Sequence, residues 1–227
     1  TASHWLGTDN VSRDILARLI YGARVSLIFA ASGVFFGIVI GGLVGSIAGY
    51  FRGFLETSLM FSVDVMLSFP ALIGFLCITQ FLGRQDLFIL CLVIAIFIWP
   101  PFSRVARATA LSVSGKDFVT AARAIGTSTR RILFREIFPN VFPTLLAYGL
   151  VLLATLVILE STLSFLGLGV EIPTASWGGM INQGRQDLLI NIWPPIWPAA
   201  TLLMTVFSFN NLADWLQKQA ASRSAAI

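Results

Sequence analysis

VSLIFAASGVFFGIVIGGLVGSIAGYF, residues 25–51, contains no Asp, Glu, Lys or Arg. An α-helix crosses the hydrocarbon core of a membrane with about 20 apolar residues at a rise of about 1.5 Å each, so this stretch is long enough to span. Within it Gly33, Gly37, Gly41, Gly45 and Gly49 follow one another at four-residue intervals. On a helix such a row makes a slowly winding groove without side chains, into which a second helix packs closely. The row speaks for architecture and says nothing about substrate.

The same freedom from charge recurs along the chain: from Thr57 to Gly83 except for Asp64, from Ile137 to Leu159, and from Leu188 to Ala213. A shorter block, Leu87 to Ser103, reaches spanning length if it continues to Ala110 past Arg104 and Arg107. Composition agrees: of 227 residues 56% are hydrophobic and 11% charged, with a mean hydropathy of +0.84. Soluble domains carry roughly 25% charged residues, so a soluble fold of this size would lack the polar surface to cover its core. Barrel strands of about 10 strictly alternating residues are absent. The fold class is therefore an all-α, multi-span transmembrane bundle, with spans expected near 25–50, 57–82, 87–110, 140–165 and 195–216. Pro70 is expected to interrupt the second span, and Pro100 and Pro101 to break the third, because proline removes a backbone donor.

Alternation of the five spans puts residues 51–56, 111–139 and 217–227 on one side, and 1–24, 83–86 and 166–194 on the other. The first side, counting Arg104 and Arg107 at a span end, carries ten Lys and Arg. The second carries five: Arg13, Arg18, Arg24, Arg84 and Arg185. Positive charge favours the cytoplasm. The expected plan is an external segment 1–24, a membrane domain 25–218 with a cytoplasmic loop 111–139, and a cytoplasmic tail 219–227. An external N-terminus without a signal peptide implies one further span before Thr1. The net charge of +4 is thus a topology signal, and no nucleic-acid partner is expected. Cys77 and Cys91 fall inside spans as small packing residues. His4 has no Cys or second His near it, so no metal site is expected.

Residues 116–139, KDFVTAARAIGTSTRRILFREIFP, read as helix, glycine stop, helix and proline. Asp117 suits a helix N-terminus, Ala121, Ala122 and Ala124 favour helix, and Gly126 suits the left-handed residue that ends one. Thr127 or Ser128 can cap the next helix, which is expected to run to Pro139. Physically the first helix is either shaped to dock in a groove of another protein or lies as an amphipathic helix on the membrane surface.

This loop resembles the EAA loop of ABC-importer permeases. Ala121, Ala122, Gly126 and Pro139 match at the right spacing, while Thr120 stands where the motif has Glu. The segment HWLGTDNVSRDILARLIYGARVSL, residues 4–27, resembles the C-type permeases of the dipeptide, oligopeptide and nickel family. So do LSFLGLG (163–169), SWGGM (176–180), Trp197-Pro198 and FNNLAD (209–214). Asn211, Ala213 and Trp215 depart from the pattern.

The resemblance implies a type I importer bundle of six spans, of which the first would be missing here. It further implies a bacterial cytoplasmic-membrane permease subunit for di- or oligopeptides, with nickel, glutathione or opines as alternatives. The implied partners are a homologous second permease, one or two cytoplasmic ATPase subunits and an external solute-binding protein, besides membrane lipid. Lys116, Asp117, Phe118, Thr120, Ala121, Ala122, Arg123, Gly126 and Pro139 would form the ATPase contact. No Gly-x-x-x-x-Gly-Lys-[Ser/Thr] loop occurs, so no cofactor is expected on this chain; ATP and Mg would sit on the ATPase. No constellation for catalysis is seen.

Asp64, roughly 12 Å past the start of its span, and Glu160 are costly intramembrane acids. Each either lines a translocation path or pairs with a basic residue such as Arg104 or Arg107, or with a neighbouring helix. From another class, a secondary transporter or passive channel would use them as coupling or selectivity groups.

Overall fold

The computed structural model describes residues 4–83 and 86–224. Residues 1–3 of the expected external segment, Arg84 in the expected 83–86 connection and residues 225–227 of the tail lie outside the described residues. Helices dominate: α1 (Ile15–Phe51), α2 (Gly53–Ser68), α3 (Ala71–Leu82), α4 (Leu87–Ser114), α5 (Asp117–Ala124), α6 (Thr129–Phe165), α7 (Trp177–Gly184) and α8 (Trp193–Ser224). Among the described residues the β pairing is limited to an isolated bridge between Thr8 and Asp14.

Among the described residues three helices, α1, α4 and α6, are each long and apolar enough to cross a membrane. The pair α2 and α3 makes a fourth crossing if taken as one span bent by 77°. The bend lies at Pro70, as expected. Phe69 adopts an extended backbone with ψ 127°, the conformation favoured before proline, and the Pro70 carbonyl then accepts from Ile73 and Gly74 to start α3. The fifth expected span, 195–216, lies within α8, which is 32 residues long. Asn210, Asn211 and Asp214 lower its apolarity, and it does not join the helices that qualify as spans.

The sequence misplaced several boundaries. Charge marks where an apolar stretch begins, not where a helix does. α1 starts at Ile15, because the Asp14 carboxylate accepts the N–H of Leu16 at 2.8 Å and of Ala17 at 3.3 Å, an N-cap. Pro100 and Pro101 do not break α4, which runs through both. Proline deletes the donor for a carbonyl one turn back, and helices tolerate this where neighbours compensate. Pro139 likewise does not end α6. The ladder widens to a π-turn at Leu133–Ile137 and resumes at Phe138, so Pro139 falls where the bonds are already changing register.

The chain divides into two compact units, Thr1–Ser32, Leu76–Val93 and Val151–Ile227 in one, Gly33–Phe75 and Ile94–Leu150 in the other. In the second, the glycine row of α1 meets the backbone of α4. A Cβ at Gly37 would strike the Phe102 ring, at Gly41 the Trp99 carbonyl, and at Gly45 the Ser103 carbonyl. At Gly49 it would lie 2.7 Å from the Arg107 carbonyl and 2.9 Å from Ala110 Cβ. Gly33 is also buried. Phe102, Ala106, Ala110, Val141 and Leu145 complete this core. In the first unit, buried Trp177 donates its Nε1–H to the Leu19 carbonyl at 3.0 Å, fixing α7 against α1.

Candidate functional site

The loop helix α5 is held by Val119 and Arg123 and is otherwise largely open. Val119 is fully buried, whereas Thr120, Ala121 and Ala124 are exposed and Ile125, just past the helix end, is 82% exposed. Lys116, in extended conformation, precedes it without a side-chain cap. Asp117 in the first turn and Arg123 in the last both complement the helix dipole. Arg123 also lies over the Tyr50 ring, 4.7 Å from its centroid, a cation–π contact with the end of α1. Phe118 is half-exposed.

Gly126 has φ +75°, a conformation costly for other residues. Its N–H donates to the Arg123 carbonyl and the Thr127 N–H to the Ala122 carbonyl, both at 3.0 Å. That pair of bonds closes the helix end. Ser128 precedes α6 but makes no side-chain cap. The Thr120 hydroxyl donates to the Lys116 carbonyl at 3.4 Å, turning back on its own helix and offering no charge outward. Lys116 to Gly126 thus form one short element, helical from Asp117 to Ala124 and closed at Gly126. Pro139 lies apart from it, about ten residues or roughly 15 Å along α6.

Asp64 in the same unit pairs with Arg104, its Oδ1 2.7 Å from Nη2, both side chains more than half exposed. Arg107 pairs with Glu56. Glu160, in the other unit, is 1% exposed and meets no cation among the described residues. It accepts from the Ser26 hydroxyl at 2.5 Å and the Ser164 hydroxyl at 2.6 Å. Ser176 donates to Ser164 at 3.0 Å and accepts the Gly179 N–H, capping α7. The carboxylate therefore ties α1, α6 and the start of α7 together. Ser161 and Ser164 beside Glu160, and Ser26 near the head of a charge-free stretch, were the available signal for this cage.

A second cluster in that unit lies in the segment 4–27 that carried the family resemblance, but no spacing pointed to its pairing with Gln183. Asp9 accepts from Arg13 at 2.8 Å and Arg18 at 2.7 Å, and both arginines donate to Gln183 at 3.0 Å. Burial pushes the Asp9 carboxyl up, but hydrogen bonds from Arg13 and from the Val11 N–H carry it below its ordinary value. Asp14 is lowered too, chiefly by its hydrogen bond with His4. Among the described residues no group of three His, Cys, Asp or Glu could hold a metal.

Residues 33–225 match the family described as the binding-protein-dependent transport system inner membrane component. The chain belongs to this family. The glutathione transport system permease protein GsiD of Escherichia coli O6:K15:H31 (strain 536 / UPEC) is 36% identical over 214 residues, 94% of this chain and 70% of that protein. A Brucella suis biovar 1 (strain 1330) protein named as a peptide permease is 37% identical over 216 residues, 94% of this chain and 71% of its own length. In fold, the permease superposes on a chain of the inward-facing MetNI methionine ABC transporter with a TM-score of 0.73 at 21% identity, covering 92% of this chain and 98% of that one. A chain of an amino acid ABC transporter gives 0.63 at 16% identity, covering 90% and 94%.

The protein is an inner-membrane permease subunit of an ABC importer of the dipeptide, oligopeptide and nickel family, and is not itself catalytic. An importer of this kind combines permease, ATPase and solute-binding protein.

Proposed function

We propose that this permease moves short peptides inward across the membrane and that α5 is the helix through which a separate ATPase drives it. The observation that carries the coupling is the geometry of α5, fastened by Val119 and Arg123, closed at Gly126, and exposing small residues with Ile125 beside them. An exposed apolar and small face on a short, end-closed helix suits a groove on a partner. In this scheme residues 111–139 face the cytoplasm, 1–24 and 166–194 face outside, α8 is the fifth span and 219–227 a cytoplasmic tail. A homologous second permease completes the pathway, one or two ATPases carry ATP and Mg, and an external binding protein delivers solute. Asp64 paired with Arg104, and Glu160 held by serines, support the structural one of their two readings.

Deleting Ala121–Gly126 should abolish co-purification of the ATPase while the protein still reaches the membrane. Undiminished co-purification would contradict the coupling role. The GsiD relative supports a second substrate reading, glutathione, a tripeptide with one γ-linkage. Uptake of α-linked di- and tripeptides competed by glutathione, measured with the cognate binding protein, separates the two.

A further inference from the structure

A solvent-open cavity of about 780 Å³ in the first unit is bounded by α1, by Asp86 and Leu87, and by the stretch from Val170 to Ala175. Small-molecule sites run to roughly 300–1,000 Å³, so a peptide of two or three residues fits. Its walls are largely apolar, with Tyr21, Val25, Ile28 and Ile172 contributing. Arg18, Arg24, Asp86 and Glu171 bring charge of both signs to the same space.

Arg18 is already engaged by Asp9 and Gln183. Arg24 and Glu171 form no ion pair or side-chain hydrogen bond among the described residues, and Asp86 commits one oxygen to the Ile89 N–H at 2.8 Å, leaving the other. This is unlike Asp9, Glu56 and Asp64, each of which has an arginine partner. Opposite charges that face one cavity without pairing are complementary to a ligand carrying both.

We propose that this cavity is a peptide subsite in which Arg24 takes the free carboxylate while Glu171 and Asp86 take the ammonium group. A cationic solute would use the acids alone and an anionic one Arg24 alone; a zwitterion uses both. The assignment rests on the peptide reading of the permease and narrows it to peptides with free termini. Arg24 supplies the fork geometry that suits a carboxylate.

The test is saturation-transfer NMR on the full importer complex in nanodiscs, without the binding protein, using the dipeptide Ala-Leu, its C-terminal amide and its N-acetyl form. The wild-type complex should transfer saturation to Ala-Leu and far less to either blocked form. Arg24→Gln should weaken Ala-Leu binding about tenfold, the scale of one charge-assisted hydrogen bond, without further weakening the amide. Glu171→Gln should do the same for the ammonium end and spare the N-acetyl form. Equal signals from wild type and both variants, or from blocked and free peptide, would overturn the subsite. So would loss of binding-protein capture in Arg24→Gln with Ala-Leu binding intact, which would make the cavity a seat for that protein. Ala-Leu uptake by the complete wild-type system is measured in parallel. Its absence defeats the peptide reading itself, whereas uptake with Arg24-independent binding defeats the subsite alone.

Discussion

Replacing Gly45 by Leu loads the seam between α1 and α4 at its tightest place. The first added carbon would strike the Ser103 carbonyl oxygen and lie 2.6 Å from Ala106 Cβ and 2.8 Å from the Arg107 nitrogen. Carbon contacts are comfortable at about 3.5–4.0 Å, so α4 must retreat by roughly 1 Å. Two of the three obstructing atoms are backbone, and no change of rotamer relieves them. Overpacking costs about 1–3 kcal/mol, and a branched side chain against backbone belongs at the upper end. The gain in helix propensity returns nearly 1 kcal/mol, leaving a net loss of about 2 kcal/mol. For a chain of this length that lowers the melting temperature by roughly 4–8 °C. Scanning fluorimetry of the detergent-purified protein would read it. Gly115→Leu is the control: its nearest neighbour, the Ser112 carbonyl oxygen, lies at 3.6 Å, and its melting should stay within about 2 °C of wild type. Equal melting of the two variants would refute close helix contact as the purpose of the glycine row.

Gly126→Val should weaken the end of α5 by about 1–2 kcal/mol, because valine resists the positive φ, and reduce ATPase co-purification; Gly126→Asn should largely preserve it. Glu160→Ala leaves the Ser26 and Ser164 hydroxyls without their acceptor, at about 1–3 kcal/mol for each buried group, so it should melt well below Glu160→Gln, which keeps an acceptor. Asp64→Asn should shift melting by less than about 1 kcal/mol equivalent, as half-exposed ion pairs contribute little. The lowered Asp9 carboxyl contributes stability above its ordinary value of 3.8 and loses it as pH falls through its lower folded value. Amide exchange of residues 4–18 should therefore accelerate, relative to the chain's core amides, as pH is taken below about 3.8, and Asp9→Asn should reduce that step to the part that the lowered Asp14 carboxyl contributes.

What the sequence made legible has a local physical cause. The glycine row needed only helical spacing to reveal a close approach, and Gly126 only the need for a left-handed residue after a run of alanines. Pro70 was read correctly because Phe69 could leave the helix there. Pro100, Pro101 and Pro139 were misread because a proline removes one bond, and whether the helix survives depends on neighbours and register shifts that pattern does not carry. The start of α1 was placed ten residues late because Arg18 and Arg24 looked like an aqueous flank. Arg18 in fact joins Asp9 and Gln183, partners separated by up to 165 positions in sequence. Glu160 drew attention as a lone acid, yet its serines come from three helical segments. α7 was not read as a helix, although SWGGM at its start carried the family resemblance, because its eight residues are too few to show a period.

Placing a photo-crosslinking amino acid at position 121 in the assembled importer tests the coupling claim most directly. Ala121 replaced in this way should capture the ATPase subunit, and the same probe at Ile172 should capture none of it. Failure of position 121 to reach the ATPase in a complex that still co-purifies with it would contradict the assignment of α5.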